Sequence, residues 1–394
     1  MIKVRYILSL LILIISVSNW AQLSESARVY LVTCDEGDEV YEQFGHTALR
    51  IEDPISGDNM IFNWGIFNYS EDFEMNFAKG KLDYMVALQH PNDFEREYFR
   101  NKRGVRELEL NMTLEQKNVL WSALMENIKE ENRGYRYDFF YKNCATIIRD
   151  HIAVAMGKDL KYGQHPDAGK RSFRQIIDEG FQDLAWTSFG IDLVLGSPID
   201  IIVDNNNMMF HPLQMETIFK SATINDNGEI VPFVVSERVI IEGTTRSNEF
   251  EGWFSPTIFA IIILVITMLI GFFQLDAGLR IWGGVLFFIL GILGILLVVM
   301  WTSTDHQAAK YNWNLLWAQP FLLILVVSVC WDKLHLKFEK VYLVMAMLMF
   351  ALILFFMMLP QEFHTAARIL IMALAFEYYF LHKQVTRMLK VKQG

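Results

Sequence analysis

Residues 254–301 read FSPTIFAIIILVITMLIGFFQLDAGLRIWGGVLFFILGILGILLVVMW and contain two long apolar runs. Each run is close to the roughly 20 apolar residues that an α-helix needs to cross a bilayer. Three similar runs follow, so the predicted spanning segments are 256–275, 279–301, 313–331, 341–359 and 366–382. The C-terminal part of the chain, residues 251–394, is therefore predicted to be a transmembrane domain of five α-helices.

The charges of the loops predict how this domain is oriented. Lys333, Lys337 and Lys340 lie between the third and fourth segments, and the tail after the fifth segment holds four more Lys or Arg residues. The loops near 302–312 and 361–365 are poorer in Lys and Arg. Loops rich in Lys and Arg stay in the cytoplasm. The C-terminus is therefore predicted to be cytoplasmic, and the first segment is predicted to enter the membrane from outside.

The N-terminus has the pattern of an export signal. Lys3 and Arg5 precede an apolar stretch, Tyr6 to Val17, which is too short to span a bilayer comfortably, and small residues follow it. We therefore predict a signal peptide over residues 1–21 and an extracytoplasmic domain over residues 22–250.

The composition excludes several classes of function. Across 394 residues, 53% are apolar and 20% are charged, as expected for a chain with soluble and membrane-embedded parts. The formal net charge of -10 leaves no broad basic surface and argues against nucleic acid as a partner. Cys34, Cys144 and Cys330 have no metal-site spacing, so no metal site is predicted. Cys34 and Cys144 are expected to be free thiols, since a bond between them would silence the nucleophile proposed below.

The extracytoplasmic part is predicted to be α+β. Alternating or apolar runs favour strands at 28–32, 47–52, 60–67 and 106–110. Thr113 and Gln116 have the spacing of a capping box at the start of a helix, and a second helix is predicted from Cys144 to about Met156. Short β-like pieces separated by polar turns predict a β-rich extension over residues 192–239.

Two residues are the main candidates for chemistry. Cys144 lies where a loop becomes an apolar helix, and the positive end of a helix dipole favours a thiolate. His46 follows Gly45 at the start of a strand, where an imidazole can project into a cleft and act as a general base. Each residue also has a structural explanation, as a packed cysteine or a satisfied histidine. Together they predict a Cys–His acyl-transfer site with Cys144 as the nucleophile and His46 as the base.

Three motifs in this order carry a resemblance to a known family: GHTALR (45–50), FNWG (62–65), and a tyrosine-rich lead into NCAT (143–146). They resemble the Bacteroidota-type lipoprotein N-acyltransferases, exported bacterial proteins related to circularly permuted papain-like enzymes such as lecithin:retinol acyltransferase. The runs STDH (303–306) and NWNLLW (312–317) resemble the membrane half of the same family. The resemblance implies a permuted papain-like domain on the periplasmic side of the cytoplasmic (inner) membrane.

The resemblance also implies a reaction. An acyl chain moves from a membrane phospholipid, through a thioester on Cys144, to the N-terminal amine of a diacylglyceryl-lipoprotein, without a cofactor. In permuted relatives a polar residue on the strand after the histidine strand orients the imidazole, which points to Asn63 as the third catalytic residue. Lecithin:retinol acyltransferase-like enzymes have a second histidine there, and Asn63 can equally serve a turn with Gly65.

Further residues are candidates for substrate binding. Arg50 should share a strand face with His46 and can pair with a lipid phosphate, or it is an ordinary salt-bridge partner. Tyr41 and Tyr141 can flank the site or donate to an oxyanion, although aromatic residues are usually core. The outer-loop residues that can bind a head group or the acceptor amine, or else form a solvated loop near an aromatic belt, are His306, Asn312 and Asn314.

Two other functions stay open at this level. A membrane-tethered papain-like hydrolase of cell-wall peptides would stay active without the residues beyond Phe254. A non-catalytic receptor or assembly factor would tolerate Cys144→Ser and His46→Ala. The acyltransferase hypothesis differs from both, since it requires the two side chains and the membrane domain.

Overall fold

The structure, a computed structural model, describes residues 22–67, 72–244 and 254–393. The predicted signal peptide, residues 1–21, lies outside the described residues. The chain divides into two units. The first takes its described residues from Met1–Phe73, Leu82–Gly169 and Val203–Arg246, and the second from Glu74–Lys81, Lys170–Ile202 and Ser247–Gly394.

The first unit is built on a seven-stranded sheet in which all neighbouring strands are antiparallel. The strands are β1 (Arg28–Cys34), β2 (His46–Asp53), β3 (Asp58–Ile66), β4 (Asp83–Gln89), β5 (Val105–Leu110), β6 (Gly134–Arg136), β7 (Leu160–Lys161), β8 (Thr223–Asp226), β9 (Glu229–Pro232) and β10 (Val234–Ile241). Their order in the large sheet is β10-β5-β1-β2-β3-β4-β6, and β7-β8-β9 form a small second sheet. The predicted histidine strand and the strand after it, β2 and β3, are therefore neighbours near the centre of the large sheet.

The α-helices of both units follow in chain order. They are α1 (Phe73–Ala78), α2 (Pro91–Arg100), α3 (Leu114–Asn127), α4 (Cys144–Met156), α5 (Phe173–Gly180), α6 (Ala185–Val194), α7 (Asn205–Met208), α8 (Pro212–Lys220), α9 (Pro256–Phe272), α10 (Asp276–Ser303), α11 (Leu322–Cys330), α12 (Asp332–Lys337), α13 (Glu339–Phe355) and α14 (Thr365–Gln393). The capping box predicted for α3 is present: the Thr113 hydroxyl accepts from the Gln116 N–H, and the Gln116 side chain accepts from the Thr113 N–H at 3.0 Å. The α+β prediction for this unit is confirmed.

Helices cover both faces of the large sheet. On one face Ala48 of β2 packs against Phe94 and Tyr98 of α2. On the other face Trp64 of β3 lies against His151 of α4, with 5.6 Å between ring centroids. Because side chains alternate along a strand, even-numbered residues of β2 face α2 and even-numbered residues of β3 face α4. The catalytic candidates on β2 and α4 must therefore meet at the end of the sheet.

The region predicted to be a β-rich extension, residues 192–239, is helical in its first part. The Asp204 carboxylate accepts the Asn207 N–H at 2.7 Å and caps α7, and Pro212 occupies the first turn of α8. Asp and Pro favour helix starts as well as turns, so the expected turn is a helix start. The prediction of strands is wrong before Thr223 and holds from β8 to β10.

The second unit contains the apolar helices. Among the described residues, two helical segments are long and apolar enough to cross a membrane, Asp276–Ser303 and Glu339–Met358, while α9 is apolar but shorter, with 17 residues. The third predicted segment, 313–331, is interrupted: a 3-10 helix at Trp313–Leu316 precedes α11. Pro320 lies at the break, and proline removes a backbone donor and clashes with the preceding helical turn. The count of five spans stays a prediction.

Residues 170–202 contribute a buried charge cluster to the second unit. Arg174 of α5 is 1% exposed and donates to Asp192 at 2.6 Å, to Asp200 at 2.9 Å, and to the carbonyl oxygens of Leu195 and Gly196 at 3.1 and 3.0 Å. Two carboxylates and two carbonyls thus surround one guanidinium. Because a buried cation needs such a full set of acceptors, this cluster holds the segment in its folded form.

Candidate active site

Cys144 is the first residue of α4, and Asn143 fixes that position as the N-cap. The Asn143 side-chain oxygen accepts from the backbone N–H groups of Ala145 and Thr146 at 3.0 and 2.9 Å, and its amide group donates to two backbone carbonyls. The Thr146 hydroxyl accepts the Asn143 N–H at 2.8 Å, which completes a capping box. These bonds hold the thiol at the positive end of the helix dipole.

Gly45 determines how the chain enters β2. Its φ is +73°, and a Cβ atom at this position would lie 2.5 Å from the Cys34 carbonyl oxygen. Only glycine adopts this conformation and this approach without strain. His46 then pairs with Cys34 in the β1–β2 register, which places its imidazole at the end of the sheet.

Asn63 of β3 contacts the imidazole. Its Oδ1 lies 2.7 Å from His46 Nε2, and its Nδ2 donates to Gln89 Oε1 of β4 at 2.7 Å. Since Gln89 engages the amide group, the Asn63 oxygen is turned toward the histidine. Nε2 therefore carries the imidazole proton, and Nδ1 presents a lone pair. The structure thus brings Asn63 to His46, as the predicted orienting role requires.

The side chains of His46 and Cys144 are close enough for each to shift the pKa of the other. Burial raises the pKa of the Cys144 thiol, but the His46 charge and hydrogen bond, with the backbone N–H groups of Thr47 and Ala145, lower that pKa by more. Burial lowers the pKa of His46, whereas the charge and hydrogen bond of Cys144 and the hydrogen bond of Asn63 raise it by more. Both shifts favour a thiolate–imidazolium pair.

This pair predicts the pH dependence of thiol reactivity. Because the pKa of Cys144 is lowered, its alkylation by iodoacetamide should stay fast at pH values below about 8.5, where ordinary thiols become protonated. His46→Ala removes the largest interactions that lower this pKa and leaves the burial that raises it. The midpoint of the alkylation rate against pH should therefore move upward, as measured by peptide mass spectrometry at Cys144.

His151→Ala is the matched control for that measurement. His151 lies seven residues further along α4, against Trp64, and is not among the main groups that shift the pKa of Cys144. Its variant should keep the wild-type midpoint. An unchanged midpoint in His46→Ala would contradict the ion pair.

Gln89 and Arg103 also belong to the site, and the sequence contained no signal for either. Gln89 orients Asn63, as described above. Arg103 is buried and donates to the Asp35 carbonyl oxygen at 2.9 Å and to Glu42 Oε1 at 2.7 Å, and its positive charge lowers the pKa of His46. Neither residue is near His46 or Cys144 along the chain, so only strand pairing and the turn before β5 bring them there.

Comparison with known families decides the identity of the chain. The model of the Lnb N-terminal periplasmic domain matches residues 16–176, and the model of the Lnb transmembrane domain matches residues 247–388. The chain belongs to the Lnb family. The predicted family resemblance is confirmed, and the chain is a membrane protein with a periplasmic N-terminal domain. No curated protein and no solved structure matches it.

In this Lnb-family chain Arg50 lies on the same strand face as His46, but four residues along β2, or about 13 Å away. Its guanidinium donates to Glu107 at 2.9 Å and to Asn59 at 2.9 Å, and the residue is 8% exposed. The structure therefore gives Arg50 ion-pair and hydrogen-bond partners away from the Cys144–His46 pair. Its predicted contact with a lipid phosphate stays a prediction.

Tyr41 and Tyr141 lie at the surface of the periplasmic unit. Tyr41 is in a 3-10 helix, Val40–Glu42, shortly before Gly45, and its side chain is 72% exposed. Tyr141 is 52% exposed. Neither is a core residue, and a role for Tyr41 in substrate binding stays a prediction.

The three outer-loop candidates lie in the second unit. Asn312 donates to the Leu193 carbonyl at 2.8 Å and Asn314 to the Asp192 carbonyl at 3.2 Å, and both side chains are buried. They satisfy carbonyls at the C-terminal end of α6, which have no partner within that helix. His306 Nε2 lies 2.9 Å from the Phe77 carbonyl oxygen. The structure thus shows these side chains in backbone contacts, and their predicted substrate contacts stay predictions.

Proposed function

We propose that this chain is a lipoprotein N-acyltransferase that uses Cys144 as its nucleophile. The observation that carries the proposal is the row of interacting side chains Cys144, His46 and Asn63 in a family that joins a periplasmic domain to a transmembrane domain. A peptide hydrolase needs no membrane domain, whereas phospholipid esters stay in the bilayer and must be reached there. The proposal places the chain in the inner membrane, with five spans and a cytoplasmic C-terminus.

In the first half-reaction the Cys144 sulfur attacks the carbonyl carbon of a phospholipid ester. His46 Nδ1 holds the proton of the thiol while the S–C bond forms. The ester C–O bond then breaks, and the proton passes to the departing oxygen, which leaves as the hydroxyl of a lysophospholipid. Asn63 stabilises the imidazolium through its 2.7 Å contact with Nε2.

In the second half-reaction the α-amine of a diacylglyceryl-modified cysteine attacks the thioester. The N–C bond forms, the S–C bond breaks, and the sulfur leaves as the thiolate that the imidazolium stabilises. His46 takes up the proton that the amine loses. Because an amide lies below a thioester in free energy, the transfer runs toward the N-acylated lipoprotein.

The test is mass spectrometry of lipoprotein N-terminal peptides from cells that contain the chain, lack it, or carry Cys144→Ser. We expect triacylated peptides in the first case, and diacylated peptides with a free α-amine in the other two. Unchanged triacylated peptides in cells without the chain would overturn the proposal. If lipoproteins were unchanged and cell-wall stem peptides were no longer released, the peptide-hydrolase hypothesis would be favoured instead.

A further inference from the structure

The Tyr135 hydroxyl is a buried polar group that the two half-reactions above do not use. Its oxygen is enclosed and lies near the Gly65 backbone N–H, which can only donate to it; within the described part of the chain no group accepts the hydroxyl proton. Buried O–H donors nearly always have an acceptor, so one without an acceptor near a reactive side chain suggests that a ligand supplies it.

Strand pairing places Tyr135 on the face of the sheet that carries Cys144. Tyr135 of β6 lies opposite Tyr84 of β4, and Val86, two residues further along β4, lies opposite Trp64 of β3. Residues directly opposite each other share a face, as do alternate residues of one strand. Since Trp64 packs against α4, Tyr135 also projects from the face that α4 covers. Cys144 is the first residue of that helix.

Gly65 lies near both Tyr135 and His46. It lies at an irregularity of the β3–β4 register and has a φ of +96°, and a Cβ atom there would lie 3.9 Å from His46 Cε1. Burial raises the pKa of Tyr135, the negative charge of Cys144 raises it further, and the Gly65 backbone N–H lowers it. The phenol therefore keeps its proton at neutral pH, close to Gly65 and within reach of the Cys144 charge, and can act as a donor.

We propose that the Tyr135 hydroxyl donates a hydrogen bond to the acyl oxygen of the substrate in the tetrahedral intermediate on Cys144. When sulfur attacks the ester, the carbonyl π electrons move onto that oxygen, and a donor already in place stabilises the charge. Aminolysis of the thioester passes through a similar oxyanion, so Tyr135 serves both half-reactions. This inference rests on the proposed acyl transfer and adds a catalytic residue to it.

Tyr135→Phe removes the hydroxyl and keeps the ring. With the purified full-length protein in detergent, we expect acylation of Cys144 by p-nitrophenyl octanoate to fall by about 10²- to 10³-fold, followed as the release of p-nitrophenolate. Alkylation of the same thiol by iodoacetamide forms no oxyanion, so its rate should be unchanged. The midpoint of thermal unfolding should change little, because the lost hydroxyl donated to no group in the folded protein.

Tyr162→Phe is the matched control. Its hydroxyl donates to the Arg149 carbonyl oxygen at 3.3 Å and has no part in the proposed chemistry, so acylation should equal that of the wild type. Wild-type acylation in Tyr135→Phe would overturn the inference and leave the proposed function standing. A parallel loss of alkylation would also overturn it, since Tyr135 would then act on thiolate formation. If the wild-type protein were not acylated at Cys144, that result would rule out both the proposed function and this inference.

Discussion

Cys144→Ser is expected to lower acyl transfer by on the order of 10⁴-fold or more, because it removes the nucleophile while the rest of the site remains. The site lowers the pKa of a thiol, and a serine hydroxyl, which ionises far less readily, stays protonated beside the same imidazole. The measurement is the intact mass of the purified full-length protein after incubation with phospholipid vesicles, which reports the acyl adduct. N-acylation of a diacylglyceryl-cysteine peptide is measured in the same reaction.

Cys330→Ser is the matched control for this variant. Cys330 is an exposed thiol at the end of α11, whereas Cys144 and Cys34 are buried free thiols. Cys330→Ser should keep both the adduct and the transfer. An acyl adduct that persists in Cys144→Ser, or that maps to Cys34 or Cys330, would show that Cys144 is not the nucleophile.

Arg174→Ala is expected to have the largest effect on stability, lowering the free energy of unfolding by about 3–5 kcal/mol. The guanidinium is almost fully buried and serves Asp192, Asp200 and two carbonyl groups. Without it the Asp192 carboxylate is left buried without its main counter-charge. Thermal and denaturant unfolding of the full-length protein in detergent would measure the loss.

The pH dependence of the Arg174→Ala effect has a definite sign. Burial already raises the pKa of Asp192, and loss of the arginine that lowers it should raise that pKa further. A carboxyl group whose pKa is higher in the folded state than in the unfolded state stabilises the fold at low pH and loses that contribution as pH rises through the folded pKa. The destabilisation should therefore shrink as pH falls toward the unfolded pKa of Asp, about 3.9.

Arg171→Ala is the control for the stability measurement. Arg171 lies three residues before Arg174 and pairs with Glu179 at 2.6 Å, but the Glu179 side chain is 60% exposed. Ion pairs in contact with water contribute roughly 0–1 kcal/mol, so this variant should be close to the wild type. If the two arginine variants lost equal amounts of unfolding free energy, the buried cluster would not be the source of the stability.

The predictions that succeeded rest on local chemistry. The capping box of α3 depends on side chains three residues apart, and α4 begins at Cys144 because Asn143 satisfies the first N–H groups of its own helix. Strands β1, β2, β3 and β5 follow the alternation of apolar residues. An ambiguous local signal gave a wrong prediction at Asp204, which starts a helix rather than a turn.

The sequence predicts the family, the α+β class of the periplasmic domain, and the positions of His46 and Cys144 at the starts of a strand and a helix. The resemblance also pointed to Asn63, but its contact with His46, and the positions of Gln89 and Tyr135, became visible only in the folded protein. Asn63, Gln89 and Tyr135 come from three further strands, and the register of β3, β4 and β6 brings them toward the end of β2. Helix caps and apolar alternation act over a few residues, whereas catalytic contacts depend on pairing between strands far apart along the chain.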